Sequence, residues 1–108
     1  MDVETFRRLD IRIGRIVEAY PARGTRHPAY RLVIDFGPLG RRRSSAQITH
    51  YYRPEELVGR LVAAVVNFPP KLVGGFTSEV LVLGAIEPGG QVILLTPDRP
   101  CEPGLPVA

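Results

Sequence analysis

Residues 10–20 read Asp-Ile-Arg-Ile-Gly-Arg-Ile-Val-Glu-Ala-Tyr. Apolar and polar residues alternate along this stretch, with Ile11, Ile13, Val17 and Ala19 on one face and Arg12, Glu18 and Tyr20 on the other. That period of two predicts a long, half-buried strand. Gly14 and Arg15 interrupt the alternation, and a glycine inside a long strand marks a bulge or a sharp coil. A long strand with such a bend is what a small barrel requires, because its first strand must pair with both halves of the sheet.

Moving towards the C-terminus, the loop Pro21 to Pro28 carries Arg23, Arg26 and His27. After it Tyr30, Leu32, Ile34 and Phe36 alternate with Arg31, Val33 and Asp35, which predicts a second half-buried strand. Gly37, Pro38 and Gly40 make a turn. Arg41 to Thr49 returns as a third strand, with Ser44, Ala46 and Ile48 on one face and Arg43, Ser45 and Gln47 on the other. Pro54, Glu55, Glu56 and Leu57 predict a short helix, with proline at an early position, acids at its positive end and Gly59 as its stop.

Leu61 to Val66 is apolar without alternation, so both faces of this fourth strand should be covered. Lys71 to Thr77 is expected to be a loop around Gly74 and Gly75, followed by a second unalternating run, Val80 to Leu83. Gln91 to Leu95 is the last strand, and a proline-rich tail runs from Pro97 to Pro106. Upstream of the opening stretch, Glu4 to Leu9 suits one or two helical turns with Phe6 and Leu9 on a single face.

The expected fold is therefore mainly β, a five-stranded OB-fold Greek-key barrel with short helices and a helix between the third and fourth strands. One domain, residues 1–108, accounts for the chain. Two strands apolar on both faces exceed what so small a barrel covers alone, which places Val80, Val82 or their neighbours in the interface of a homodimer. Cover by the N-terminal helix and the tail is the competing explanation.

Composition narrows the function classes. Hydrophobic residues make up 44% of the 108, enough for a core without disulfides or metal. The chain is basic, 14 Lys plus Arg against 11 Asp plus Glu, which favours polyanionic or acidic partners. Lys71 is the only lysine, and arginine offers bidentate phosphate contacts and stacking where lysine offers a point charge. Cys101 stands alone, so no intrachain disulfide or thiol-rich metal site is expected. There is no signal-peptide stretch at the start, and Leu61 to Val66 is far too short to cross a membrane, so a cytoplasmic protein without membrane insertion is expected.

Phosphate loops, dinucleotide fingerprints, zinc-ligand pairs and nucleophile elbows are absent from the sequence. His50 as a base for Ser44 or Ser45 lacks an orienting acid, and a strand turns alternate serines to opposite faces. Neither catalysis nor a metal or cofactor is expected. Glu79, between Ser78 and an apolar run, should face solvent or find a cation or hydroxyl partner, with Lys71 and Arg12 as candidates.

Arg7, Arg8, Arg31 and Arg99 read as ordinary solvated surface. Arg12, Arg15, Arg41, Arg42, Arg43 and Lys71 fall on segments that adjoin in a five-stranded barrel and are expected to form one basic, nucleic-acid-binding face. Phe68, Phe76, Tyr51 and Tyr52 offer stacking surfaces beside it, with core packing the competing role for Phe68.

The stretch Asp10 to Ala19 also resembles the opening motif of tRNA-binding domains appended to methionyl-tRNA synthetases and to the phenylalanyl-tRNA synthetase β subunit. Tyr51, Tyr52 and Pro54 to Gly59 resemble that family's segment before the fourth strand. Leu32 to Gly37, Ser44 to Thr49, Val65 to Pro70 and Gly75 to Gly84 are closer still to the stand-alone CsaA subfamily. The resemblance implies an OB-fold homodimer in the cytoplasm that binds tRNA or, as an export-related chaperone, unfolded or precursor polypeptides.

Within that resemblance Asn67, Lys71 and Ser78 carry over as ligand contacts. The chain departs from the wider family where Ser78 and Glu79 are followed by Val80 and Leu81 in place of Gly and Met, and where Ala46 and Gln47 replace Ser and Gly. The tRNA site is thus altered or repurposed. The CsaA resemblance implies a chaperone that binds polypeptides, with a structure-directed tRNA-binding module as the alternative, and both ligands could share one face. A tRNA binder would neutralise phosphates through Arg41 to Arg43, Arg12 and Lys71. A chaperone needs an exposed apolar groove, for which Tyr51, Phe68, Pro69, Pro70 and Phe76 are the peptide-binding candidates.

Overall fold

The computed structural model describes all residues, Met1 to Ala108. A short helix α1 (Val3–Arg7) precedes the strands β1 (Ile11–Pro21), β2 (Tyr30–Asp35) and β3 (Arg41–Ala46). Helix α2 (Pro54–Leu57) leads into β4 (Leu61–Val65). Short strands follow, β5 (Lys71–Val73), β6 (Phe76–Ser78), β7 (Leu81–Val82), β8 (Gly84–Ile86), β9 (Val92–Leu94) and β10 (Pro106–Val107). The main sheet runs β3-β2-β1-β4-β7, every pair antiparallel, with β10 added beside the start of β1. Hydrogen bonds from Glu79 and Val80 N–H to the Arg43 carbonyl, at 2.7 and 3.3 Å, bring the last strand round to the first, so the sheet is a nearly closed five-strand barrel.

β1 does pair with both neighbours, Ile11 to Arg15 with β4 and Arg15 to Pro21 with β2. Its bulge lies between Ile16 and Glu18, not at the glycine. Gly14 serves a different need: a Cβ there would sit 2.5 Å from Ile34 Cγ2 and 2.7 Å from the Phe36 ring, so the glycine lets two core side chains reach the strand backbone. Before the bulge, plain alternation turns Gly14 and Ile16 into the barrel and leaves Ile11 and Ile13 in a second cluster outside it; the bulge then shifts the phase, so that Ala19 packs on the barrel core.

Those two clusters explain the unalternating fourth strand. Val62 and Ala64 join Ile16, Leu32, Ile34, Phe36 and Leu57 inside the barrel. Ala63 and Val65 join Ile11 and Ile13 on the outside, under Leu9, Leu83 and Cys101. The residue following α1 and the tail thus supply part of the cover. Val80 is 4% exposed inside its own barrel, which removes it as an interface residue; Val82 packs on the same cluster but is only half-buried, and Leu81 between them is 51% exposed.

Two segments differ from the sequence reading. Lys71 to Ser78 is a hairpin, not a loop, because Gly74 and Gly75 adopt φ of +56° and +79°, the paired left-handed geometry that a two-residue hairpin turn demands. Gly84 to Ile86 is a strand paired with β9, hidden in the sequence by its glycine and its three-residue length. β3 stops at Ala46, where its partner strand begins at Tyr30; Gln47 and Ile48 continue beyond that last pair. Helix α2 is as expected, with Pro54 in its first turn and the Arg53 N–H donating to Glu56 Oε1 at 2.9 Å. No helix is long and apolar enough to cross a membrane.

Candidate binding site

The seam between β3 and residues 78–80 is stitched by side chains. The Arg43 N–H donates to the Glu79 carboxylate at 3.0 Å, the Ser45 N–H donates to Ser78 Oγ at 3.0 Å, and the Ser44 hydroxyl donates to the Val80 carbonyl at 2.9 Å. The Arg43 guanidinium also lies 3.6 Å from Glu79. Arg43, not Lys71 or Arg12, is therefore the cation that Glu79 finds. With its hydroxyl committed to a carbonyl, Ser44 is no nucleophile, and no group of three or more His, Cys, Asp or Glu side chains converges anywhere to hold a metal.

Beyond the stitched region β3 and residues 80–86, which carry β7 and β8, separate, and the space between them is a cleft of about 810 Å³. Val80, Val82, Leu83, Ile86 and Val92 supply much of its apolar lining, with Ser45 to Ile48 along the other side. Phe68, Pro69, Lys71 and Ser78 line it too, with Thr25 to His27 from the loop after β1. The sequence did not reveal Arg26, His27 or Ile86 as site residues, because chain segments far apart converge there only once the barrel forms.

Of the other peptide-groove candidates, Phe76 lies outside the cleft. The guanidiniums of Arg31 and Arg43 stand over its ring, 5.1 and 5.3 Å from the centroid. Arg31 is no solvated surface residue: it is half-buried, and its Nη2 donates to the carbonyls of Arg23 at 3.0 Å and Gly74 at 2.9 Å, tying the loop after β1 to the hairpin tip. Tyr51 is exposed and its hydroxyl donates to Glu87, which raises the phenol's pKa above its ordinary value. Pro70 is exposed at the edge of the hairpin.

The cations are divided among several partners and surfaces. Arg12 is held by Asp10 at 2.6 Å and by the Gly104 carbonyl at 3.0 Å, and Arg15 donates to the Gly59 carbonyl at 2.8 Å. Strand alternation splits the arginine triplet: Arg41 and Arg43 point outward, while Arg42 is half-buried in phase with the inward Ser44 and Ala46. Arg15 and Arg41 flank Asp35 in one row across β1, β2 and β3. Arg41, Arg42 and Lys71 form no ion pair. Asn67 has both ends of its amide engaged, accepting from the Asp10 N–H at 3.0 Å and donating to the Arg8 carbonyl at 2.8 Å.

Comparison with known proteins adds to this geometry. The tRNA binding domain family matches residues 11–106. The crystal structure of chaperone CsaA from Bacillus anthracis str. Ames is 50% identical, with a TM-score of 0.96 over 100% of this chain and 98% of that one. CsaA chaperone protein from Picrophilus torridus is 49% identical, with a TM-score of 0.93 over 100% and 99% of the two chains. A methionine–tRNA ligase from Methanoculleus marisnigri is 39% identical over 104 residues, which are 96% of this chain and 15% of the ligase. The chain thus spans about 15% of the length of the curated relatives that it matches.

Proposed function

Because the chain belongs to the tRNA-binding domain family, and carries an apolar cleft where its barrel seam opens, we propose that it is a CsaA-like chaperone that takes unfolded or precursor polypeptide segments into that cleft. The cleft carries the reading. Val82, Leu83, Ile86, Val92 and Phe68 offer apolar surface in a concave space large enough for several side chains, the chemistry that an unfolded chain presents and a folded one hides. Holding precursors ahead of export in the cytoplasm, and doing so as a homodimer, is part of the same proposal.

The disposition of the cations supports this order of preference. Arg12 and Arg43 are already paired with Asp10 and Glu79, and Arg15 is tethered to the Gly59 carbonyl, so fewer positive groups stand ready for phosphates than the sequence suggested. Arg41, Arg42 and Lys71 remain without an acid, and they favour tRNA as a second ligand, held by salt-sensitive contacts. The test is binding of a labelled, permanently unfolded polypeptide to the native protein and to Ile86→Asp. Ile86 is 74% exposed, so the variant should fold, and polypeptide affinity should drop while tRNA affinity is unchanged. Equal polypeptide binding by both proteins removes the cleft as the site.

For the homodimer, the supporting feature is an apolar patch beside the outer cluster. Leu81, Ile93 and Leu95 are 51%, 44% and 47% exposed, and Leu95 is hydrogen-bonded through its backbone to Ala63 and Leu83, which places it at the rim of that cluster.

A further inference from the structure

Two walls of the cleft follow strand edges, β3 with its continuation through Gln47 on one side and β7 with β8 on the other. Four antiparallel steps lead from β3 through β2, β1 and β4 to β7, so β3 and β7 run in the same direction. They are tied together at Arg43, Ser44 and Val80 and separate after that point.

Alternation decides which backbone groups face the gap. In β3 the N–H groups of Arg43 and Ser45 point to the seam, as their acceptors Glu79 and Ser78 show. Gln47 is the next residue in that phase; it is exposed, and its backbone N–H and C=O have no hydrogen-bond partner. On the far wall Leu83 bonds to Ala63 and Leu95, and the Glu87 N–H donates to Gln91. Ala85, opposite Ile93, is in the same phase as Leu83 and Glu87, so Gly84 and Ile86 on either side of it turn their N–H and C=O the opposite way, into the gap. Gln47, Gly84 and Ile86 all line the cleft.

We propose that the cleft is a vacant strand position: an extended apolar polypeptide segment enters antiparallel to both walls and pairs through its backbone with Gln47 on one side and with Gly84 and Ile86 on the other. This inference rests on the polypeptide-binding reading above and specifies its mode of capture. Two parallel strands separated by one vacant place are the setting in which a guest strand is antiparallel to both neighbours, the more stable pairing. Backbone pairing supplies affinity without demanding a sequence, and alternate side chains of the guest meet the apolar lining. Arg26 and Lys71 line the cleft, and its acid, Glu79, is already engaged by Arg43, so the segment accepted carries an acidic residue beside its apolar run.

The experiment uses the full chain and a short fluorescein-labelled peptide of alternating valine and threonine with a glutamate at each end. Its companions are the same peptide N-methylated at alternate residues and a version with lysine at each end. The unmodified peptide should bind, N-methylation should weaken it about tenfold or more through the lost backbone hydrogen bonds, and the lysine version should bind more weakly than the glutamate one. Binding should also slow hydrogen exchange at the Gln47, Gly84 and Ile86 amides of the native protein. Equal affinity of the methylated and unmodified peptides, without protection of those amides, overturns strand addition and leaves polypeptide binding standing. Equal affinity of the lysine and glutamate versions overturns the preference for acid. Absence of all peptide binding beside intact tRNA binding overturns both the capture mode and the reading beneath it.

Discussion

Arg43 and Glu79 hold the barrel seam from both sides: the Arg43 carbonyl accepts the Glu79 N–H at 2.7 Å, and the Glu79 carboxylate accepts the Arg43 N–H at 3.0 Å. A side chain here replaces the backbone acceptor that a regular ladder would provide. Ser78 does the same for Ser45 one rung further on. The seam closes only as far as these side chains reach, and the cleft begins where they end.

Removing the acceptor should therefore cost stability. For Glu79→Ala we expect a loss of about 1 kcal/mol in chemical denaturation, at the low end for a charged acceptor because both side chains are partly solvated. Glu79→Gln keeps an oxygen for the Arg43 N–H and should lose less. An alanine variant as stable as the native protein would show that the seam does not depend on this carboxylate.

Gly14 makes a packing prediction. Gly14→Ala places its methyl 2.5 Å from Ile34 Cγ2 and against the Phe36 ring, both fully buried and without room to retreat. We expect a destabilisation of about 1–3 kcal/mol, the usual cost of overpacking. A thermal midpoint equal to that of the native protein would mean that the barrel yields easily at this point.

The patch formed by Leu81, Ile93 and Leu95 predicts self-association. Leu81→Arg should lower the mass measured by light scattering to that of a monomer and leave the circular dichroism spectrum intact, since Leu81 is not part of either buried cluster. An unchanged mass would assign that exposed leucine to some other contact. Val82 is unsuited to the same test, because it packs on the barrel core and lines the cleft.

Tyr51 offers a pH signature. Its hydroxyl donates to the Glu87 carboxylate, so the phenol holds its proton above the ordinary value of 10.0. The folded protein thus binds this proton more tightly than the unfolded chain does. The contribution to stability is complete below the unfolded pKa and disappears as pH rises through the folded one. Glu87→Gln should bring the ionisation of Tyr51 back towards its ordinary value in an alkaline absorbance titration, compared with Tyr51→Phe to identify the signal. No difference between native protein and Glu87→Gln would show that the pair does not persist in solution.

Much of the barrel was legible in advance, for a physical reason. Half-buried strands such as Tyr30 to Asp35 record their facing directly in the sequence, and Leu61 to Val66 recorded its two covered faces as an unbroken apolar run. Three-residue strands carry too few positions to show a period, so neither β8 nor the β5–β6 hairpin has a strand signature in the sequence. Partnerships across the fold were hidden for another reason. Glu79 and Arg43 are 36 positions apart, and nothing local distinguishes Arg43 from Lys71 or Arg12 as the partner. Arg31 looked solvated because its strand position faces outward; the hairpin that covers it comes from residues more than forty positions away. The cleft itself belongs to no segment. It exists because two strands that begin tied together diverge.

Uptake of unfolded polypeptide by this cleft is tested by a salt titration of an unfolded fluorescent polypeptide and of total tRNA, on the native protein and on a variant with Arg41, Arg42 and Arg43 changed to alanine. Polypeptide binding that persists at high salt and survives the triple substitution is expected, beside tRNA binding that is weak, falls steeply with salt and is lost in the variant. Tight tRNA binding with no polypeptide affinity at any salt concentration would contradict the claim and leave the chain an RNA-binding module.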